Sequence, residues 1–148
     1  MDFTISLSER DVQKAAALQA SLELRDVSLL KCEAAGARPP ANAVEPVRLS
    51  AEVDSEGRRH RAGVDFEVTL RIACEEALTF HVVATFIVRY RFIGQVMAAP
   101  KAEVEAFRKS HAVLAAWPYL REFMQSVTAR MGFPTESLPL LRVVPKKL

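Results

Sequence analysis

Few residues in this sequence have the types and spacing that covalent chemistry needs. His60 stands in a charged segment, His81 in an alternating strand pattern and His111 at the entry to a helix-like stretch. None lies at a metal-ligand spacing from another histidine or from a cysteine, and no GxSxG, phosphate-loop or GxGxxG pattern occurs. Each histidine therefore reads as a surface or capping residue. Glu75 and Glu76 form a carboxylate pair, but in a predicted turn, where solvation accounts for them. Arg58, Arg59, His60 and Arg61 are the one basic cluster in the sequence. A hairpin tip carrying it has the charge to touch phosphate, yet no aromatic residue is interleaved to stack on a base. Cys32 and Cys74 are single thiols without CxxC spacing and read as buried, reduced residues. These residues predict no catalysis, no cofactor, no metal and no nucleic-acid partner.

What the sequence does supply is apolar surface. Phe86, Tyr90 and Phe92 share one face of a predicted strand, and Trp117, Tyr119 and Phe123 lie on a predicted helix. That helix is the stretch Ser110–Pro134, around which the chain is organised. Val113, Trp117, Leu120, Met124, Val127 and Met131 recur at spacings of four and three, which gathers them on one side of a helix. Arg121, Gln125 and Thr128 fall elsewhere on the cylinder, towards water. Gly132 supplies a left-handed C-terminal residue and Pro134 blocks continuation. Pro118 lacks an N–H and crowds the carbonyl of Leu114, so a kink or a helix start is expected there.

The elements that position these faces follow in order. Ser8–Ala20 predicts a short helix, capped through Ser8 with Asp11 or Ser6 with Glu9, with a mostly alanine apolar face. In Ser21–Cys32, Leu22 and Leu24 alternate in one phase and Val27 and Leu29 in the other; the break at Asp26 predicts a bulged strand. Glu33–Pro46, with Gly36, Pro39, Pro40, Asn42 and Pro46, reads as a loop. Val47–Asp54 and Gly63–Cys74 alternate cleanly around a turn at Ser55–Ala62, which predicts a β-hairpin. Leu78–Ile93 is the longest predicted strand, with Phe80, Val82, Ala84, Phe86, Val88, Tyr90 and Phe92 on one face. Gly94–Pro100 reads as a turn and Lys101–Lys109 as the start of the helix. Glu136–Leu148 reads as a tail, with Pro139 and Pro145 against regular structure and LPLLRVV able to pack back on the core. Strands followed by helices predict an α+β fold: a four-stranded antiparallel sheet with helices on one face and water on the other.

The whole-chain numbers agree. The 148 residues fit one domain with a real core. A net charge of +2 is too small to argue for nucleic acid. No apolar run approaches the length of a membrane span, and the opening MDFTISLSERD lacks the basic-then-apolar pattern of a secretory signal. Together with unpaired cysteines, this points to the cytoplasm.

Several of these residues also carry a family pattern. Pro118-Tyr119-Leu120-Arg121-Glu122, followed by Met131-Gly132-Phe133-Pro134, resembles the long-helix signature of the SecB export chaperone family, PYxRE and later TFP. Phe66-Glu67-Val68-Thr69-Leu70-Arg71-Ile72 is similar to that family's YEVxLxV strand, and the strand ending Tyr90-Arg91-Phe92-Ile93-Gly94 sits where the family has its last strand. The resemblance spans roughly Leu22 to Val143. It implies one SecB-like domain over 1–148, with 1–20 as an N-terminal helical extension, assembled as a dimer or a dimer of dimers with helices between two sheets. It further implies an ATP-independent chaperone that holds unfolded polypeptide in apolar grooves, for export or for a dedicated client such as an antitoxin. Three features depart from the family pattern. Glu33–Pro46 carries no aromatic residue, PKKL ends the tail, and the acidic outer face that docks the SecA motor is offset here by arginines.

The candidate client-binding residues are Leu24, Val27, Leu29, Phe86, Tyr90, Phe92, Trp117 and Phe123. Val113, Trp117, Met124 and Val127 are the candidate subunit interface. Glu52, Asp54, Asp65 and Glu67 are the candidate SecA-docking acids, set against Arg48, Arg71, Arg89 and Arg91. One alternative from another class is a small-ligand-binding or enzymatic α+β domain with a pocket between sheet and helix. It requires convergent polar groups at inward positions, and the inward positions offer almost none.

Overall fold

The computed structural model describes residues 3–36, 49–74, 80–96, 98–132 and 141–146. Its order is β1 (Thr4–Leu7), α1 (Glu9–Gln19), β2 (Leu22–Gly36), β3 (Leu49–Arg59), β4 (Gly63–Cys74), β5 (Phe80–Phe92), α2 (Lys101–Phe107), a π-helical turn (Arg108–Ala112), α3 (Val113–Arg130) and β6 (Arg142–Pro145). The four long strands form one antiparallel sheet in the order β2-β5-β4-β3. The expected α+β architecture is therefore present. Glu75, Glu76, Arg48, Phe133, Pro134 and most of the predicted loop lie outside the described residues.

Alternation decides the two faces of the sheet. Val64, Phe66, Val68, Leu70 and Ile72 of β4 and Val82, Ala84, Phe86, Val88 and Tyr90 of β5 are buried beneath the helices. β2 keeps its leucines on that inner side only by breaking register twice. Arg25 is an extra residue between the Leu24–Tyr90 and Asp26–Arg89 pairs, and Leu30 another between Leu29–Phe86 and Lys31–Thr85. Each bulge shifts the phase by one, so Leu22 and Leu24, then Val27 and Leu29, then Cys32 and Ala34 all stand opposite inward residues of β5. The phase break in the sequence marks the first bulge; the second follows it at Leu30.

The helix layer is one run with an irregular middle. Val113, Trp117, Leu120 and Met124 are buried, and Val127 and Met131 are partly so, as their spacing requires. Gly132 has φ +77° at the C-terminal end. Thr128 departs from expectation: it is buried, with its hydroxyl donating to the Met124 carbonyl at 2.7 Å. The irregularity lies at Arg108–Ala112, before Pro118, while Pro118 itself sits exposed inside α3. It lies on the solvent side of the helix, next to the exposed turn at Leu114 whose carbonyl its ring deprives of a donor.

Ser8 caps α1, its hydroxyl accepting from the Asp11 N–H at 3.1 Å. α1 packs against α2 and buries Ala15 and Leu18. The predicted turn over Ser55–Ala62 is shorter than expected, because β3 continues to Arg59. β2 likewise runs on to Gly36. A further pair of strands was not expected at all: β1 and β6 run parallel in a small separate sheet, so Arg142–Pro145 is regular where Pro145 argued otherwise, while Pro139 lies outside the described residues.

Candidate interaction surface

The helices do not cover the whole inner face. α3 lies mainly over β5 and only grazes β2, the edge strand. Leu24 and Leu29 of β2 are consequently 49% and 43% exposed, and Val27 between them is half-buried. On the β5 side the floor is Phe86, 7% exposed. The wall is α3, which presents Tyr119 and Phe123 with ring centroids 6.0 and 6.1 Å from Phe86. Tyr119 is 47% exposed. Phe92 is half-buried at the far end, close to Leu22, its partner in register. Leu24, Val27, Leu29, Phe86, Tyr119 and Phe123 thus form an apolar trough between an edge strand and a helix. Tyr119 was missed as a contact residue, although the sequence groups it with Trp117 and Phe123.

The two remaining candidates sit elsewhere. Tyr90 is buried against Phe66 and Phe107, at 5.8 and 4.9 Å between centroids, and burial pushes its pKa up to about 12. Trp117 is 3% exposed and faces Phe3, the residue before β1. Both are core residues of the single chain. The same holds for Val113 and Met124 of the candidate subunit interface, with Val127 half-buried beside them. Cys32 is exposed on the edge strand, contrary to the buried thiol expected from residue type. An edge strand that the helices leave uncovered gives a small apolar residue nothing to pack beneath.

The histidines are held by local partners. His60 bonds Asp65 at 3.1 Å, and His81 bonds Glu33 at 3.3 Å. His111, in the π-helical turn, stacks on Phe107 at 4.8 Å, bonds Gln19 of α1 at 3.1 Å, and has its pKa lowered by burial. No group of three metal-ligating side chains converges among the described residues. The concavities described lie on the outer sheet face, open to solvent, among Lys31, Glu33, Thr69, Arg71 and Thr85. They are not the pocket between sheet and helix that the alternative reading requires.

Charge on that outer face is acidic in excess on β3 and β4 and balanced on β2 and β5, where Glu23, Asp26 and Glu33 stand with Lys31, Arg89 and Arg91. β3 and β4 present Glu52, Asp54, Glu56, Asp65 and Glu67 against Arg58 and Arg71. Glu56 joins the expected acids because β3 is longer than the sequence pattern indicated, and it stands directly opposite Glu67. Arg71 is paired to Asp54, and on the other half Arg89 is paired to Asp26 at 2.7 Å.

No protein-family model matches the sequence, and no curated protein matches it either. Solved structures do. The SecB-like chaperone Rv1957 of Mycobacterium tuberculosis, in complex with a ChAD peptide from the Rv1956 HigA1 antitoxin, superposes with a TM-score of 0.77. The match covers 90% of this chain and 99% of that one, at 19% sequence identity.

The fold is SecB-like.

A protein of unknown function from Streptococcus agalactiae matches at a TM-score of 0.43 and 9% identity, covering 80% of this chain and 97% of that one, too remote to carry an argument. Within the SecB-like fold, Pro118-Tyr119-Leu120-Arg121-Glu122 lies in α3, with Tyr119 at the trough and Leu120 in the core. No helix among the described residues is long and apolar enough to cross a membrane.

Proposed function

We propose that this protein is a cytoplasmic, ATP-independent chaperone of SecB-like type, a single domain over residues 1–148. It holds unfolded polypeptide in the trough between β2 and α3, and its most natural client is a dedicated one such as an antitoxin. The observation that carries this reading is the exposed pair Leu24 and Leu29 beside Phe86 and Tyr119, on a fold shared with a chaperone solved with an antitoxin peptide. Completing the burial of a half-exposed leucine is worth on the order of 1 kcal/mol, about half the value for a fully exposed one. A few such anchors, less the cost of ordering the client, suffice for reversible holding without nucleotide. No covalent step is assigned to any residue, and the reading requires no enzyme activity, cofactor or metal. The test is aggregation of a slow-folding substrate with this protein in severalfold molar excess and no nucleotide. Suppression is expected, and its absence refutes the reading.

The excess acids of β3 and β4 favour a second role for the opposite face. Complementary potential steers encounter with a basic partner, and a surface salt-bridged to zero does not. Glu52, Glu56 and Glu67 stand beside Asp65 and the paired Asp54. They support weak, strongly salt-dependent docking of a motor such as SecA. Titration at low and physiological salt checks this, and Glu56→Lys with Glu67→Lys abolishes the low-salt binding while leaving aggregation suppression intact.

A further inference from the structure

Trp117 is covered by the residue that leads into the chain's own first strand. Phe3 packs its ring on the Trp117 indole, centroids 4.6 Å apart and planes inclined at 55°. Phe3 and Ile5 are half-buried and Leu7 is buried, while Thr4 and Ser6 between them are exposed. Along one edge β1 is held by β6: the Arg142 N–H donates to the Phe3 carbonyl at 3.0 Å, and the Lys146 N–H to the Leu7 carbonyl at 2.8 Å. Residues 3–7 are therefore an extended segment, backbone-bonded to a strand, with an aromatic and two aliphatic side chains seated at alternate positions. This is how a sheet edge takes an extended peptide, backbone bonds giving affinity and alternate pockets giving specificity. The attachment is slight. Each strand has four residues, the pair is parallel, and Val143 and Val144 of β6 remain 41% and 38% exposed. Two-stranded ribbons of this size are marginal by themselves, and parallel pairing is the weaker kind.

We propose that β6 and Trp117 form a second polypeptide-binding subsite, for extended segments of the pattern aromatic-x-aliphatic-x-aliphatic, and that residues 3–7 occupy it as an intramolecular surrogate. The inference deepens the holdase reading and rests on it for its biological use. Client segments that displace β1 gain Trp117 as an additional apolar anchor; segments that cannot displace it are held at the β2–α3 trough alone.

Trp117 is the sole tryptophan in the sequence, so its fluorescence reports the subsite directly. In the full chain, Phe3→Ala with Ile5→Ala is expected to red-shift Trp117 emission and raise its quenching by acrylamide. A synthetic peptide copying residues 1–8, which contains no tryptophan, then reverses both changes saturably. A second variant guards against misfolding of the first. Ser6 and Val144 are register partners and both exposed, so Ser6→Cys with Val144→Cys, in a background where both native cysteines are replaced (Cys32→Ser, Cys74→Ser), locks the strap under oxidation. Locking is expected to weaken binding of a labelled unfolded client severalfold, and reductant to restore it. Peptide that leaves Trp117 unprotected, or a locked form that binds client as tightly as the reduced one, overturns the proposal. If no form holds client yet the peptide still protects Trp117, the subsite stands and the holdase reading is what fails.

Discussion

Leu24 and Leu29 illustrate how a single position separates binding from stability. Both are nearly half exposed, so replacing them removes little core packing. Leu24→Asp with Leu29→Asp is expected to abolish most aggregation suppression while moving the thermal midpoint only slightly, as calorimetry beside the aggregation assay will show. Trp117 is the opposite case, and its truncation to alanine removes buried contacts worth about 3–5 kcal/mol. His111 adds a pH dependence of known sign. Burial lowers its pKa, so the fold favours the neutral ring. The unfolded chain takes up the proton first, at about pH 6.5, and the contribution present above that value is lost as pH falls through it towards the lowered folded value. Unfolding titrations of the wild type and His111→Gln should therefore show a stability difference that shifts against the wild type on acidification. A difference that stays constant with pH contradicts this assignment.

At the scale of elements, the alternating strands were legible because one face of each is buried. β4 has the bounds that its pattern indicates, and the bulge near Asp26 was visible as a phase change. Three features were hidden for physical reasons. The small β1–β6 sheet depends on a pairing across nearly the whole chain, although Phe3, Ile5 and Leu7 do alternate. The π-helical turn leaves no composition signal, and Pro118 drew attention to the wrong turn of the helix. The trough was half legible: its residue types could be named, but which of them the helix buries depends on where α3 crosses the sheet, and so Tyr90 and Trp117 were grouped with Leu24 and Leu29. The β4–β5 pair carries a prediction of its own. A Cβ on Gly63 falls 1.9 Å from the Tyr90 carbonyl oxygen and 2.8 Å from the Arg91 Cα, both backbone atoms that cannot swing aside. Gly63→Ala is expected to cost on the order of 4 kcal/mol or more, measured by denaturant unfolding; a near-neutral result means that the two strands are not packed this closely.

The whole molecule is a sheet with one charged and one apolar face, incompletely covered by its own helices. An exposed apolar strip of this kind is stable in solution when a partner shares it, and β2 and β3 are the edge strands of the sheet among the described residues. Light scattering at micromolar concentration is expected to report a dimer or tetramer, and a strict monomer contradicts the assembly expected of a SecB-like chaperone. The central claim, that unfolded polypeptide lies in the trough between β2 and α3, is tested most directly by where a client can be captured. A photo-activated cross-linking residue in place of Leu29 or Tyr119 should capture an unfolded client with high yield, while the same group in place of Arg71 or Glu67 on the outer face should capture little. Equal capture from both faces, or capture from the outer face alone, contradicts the account.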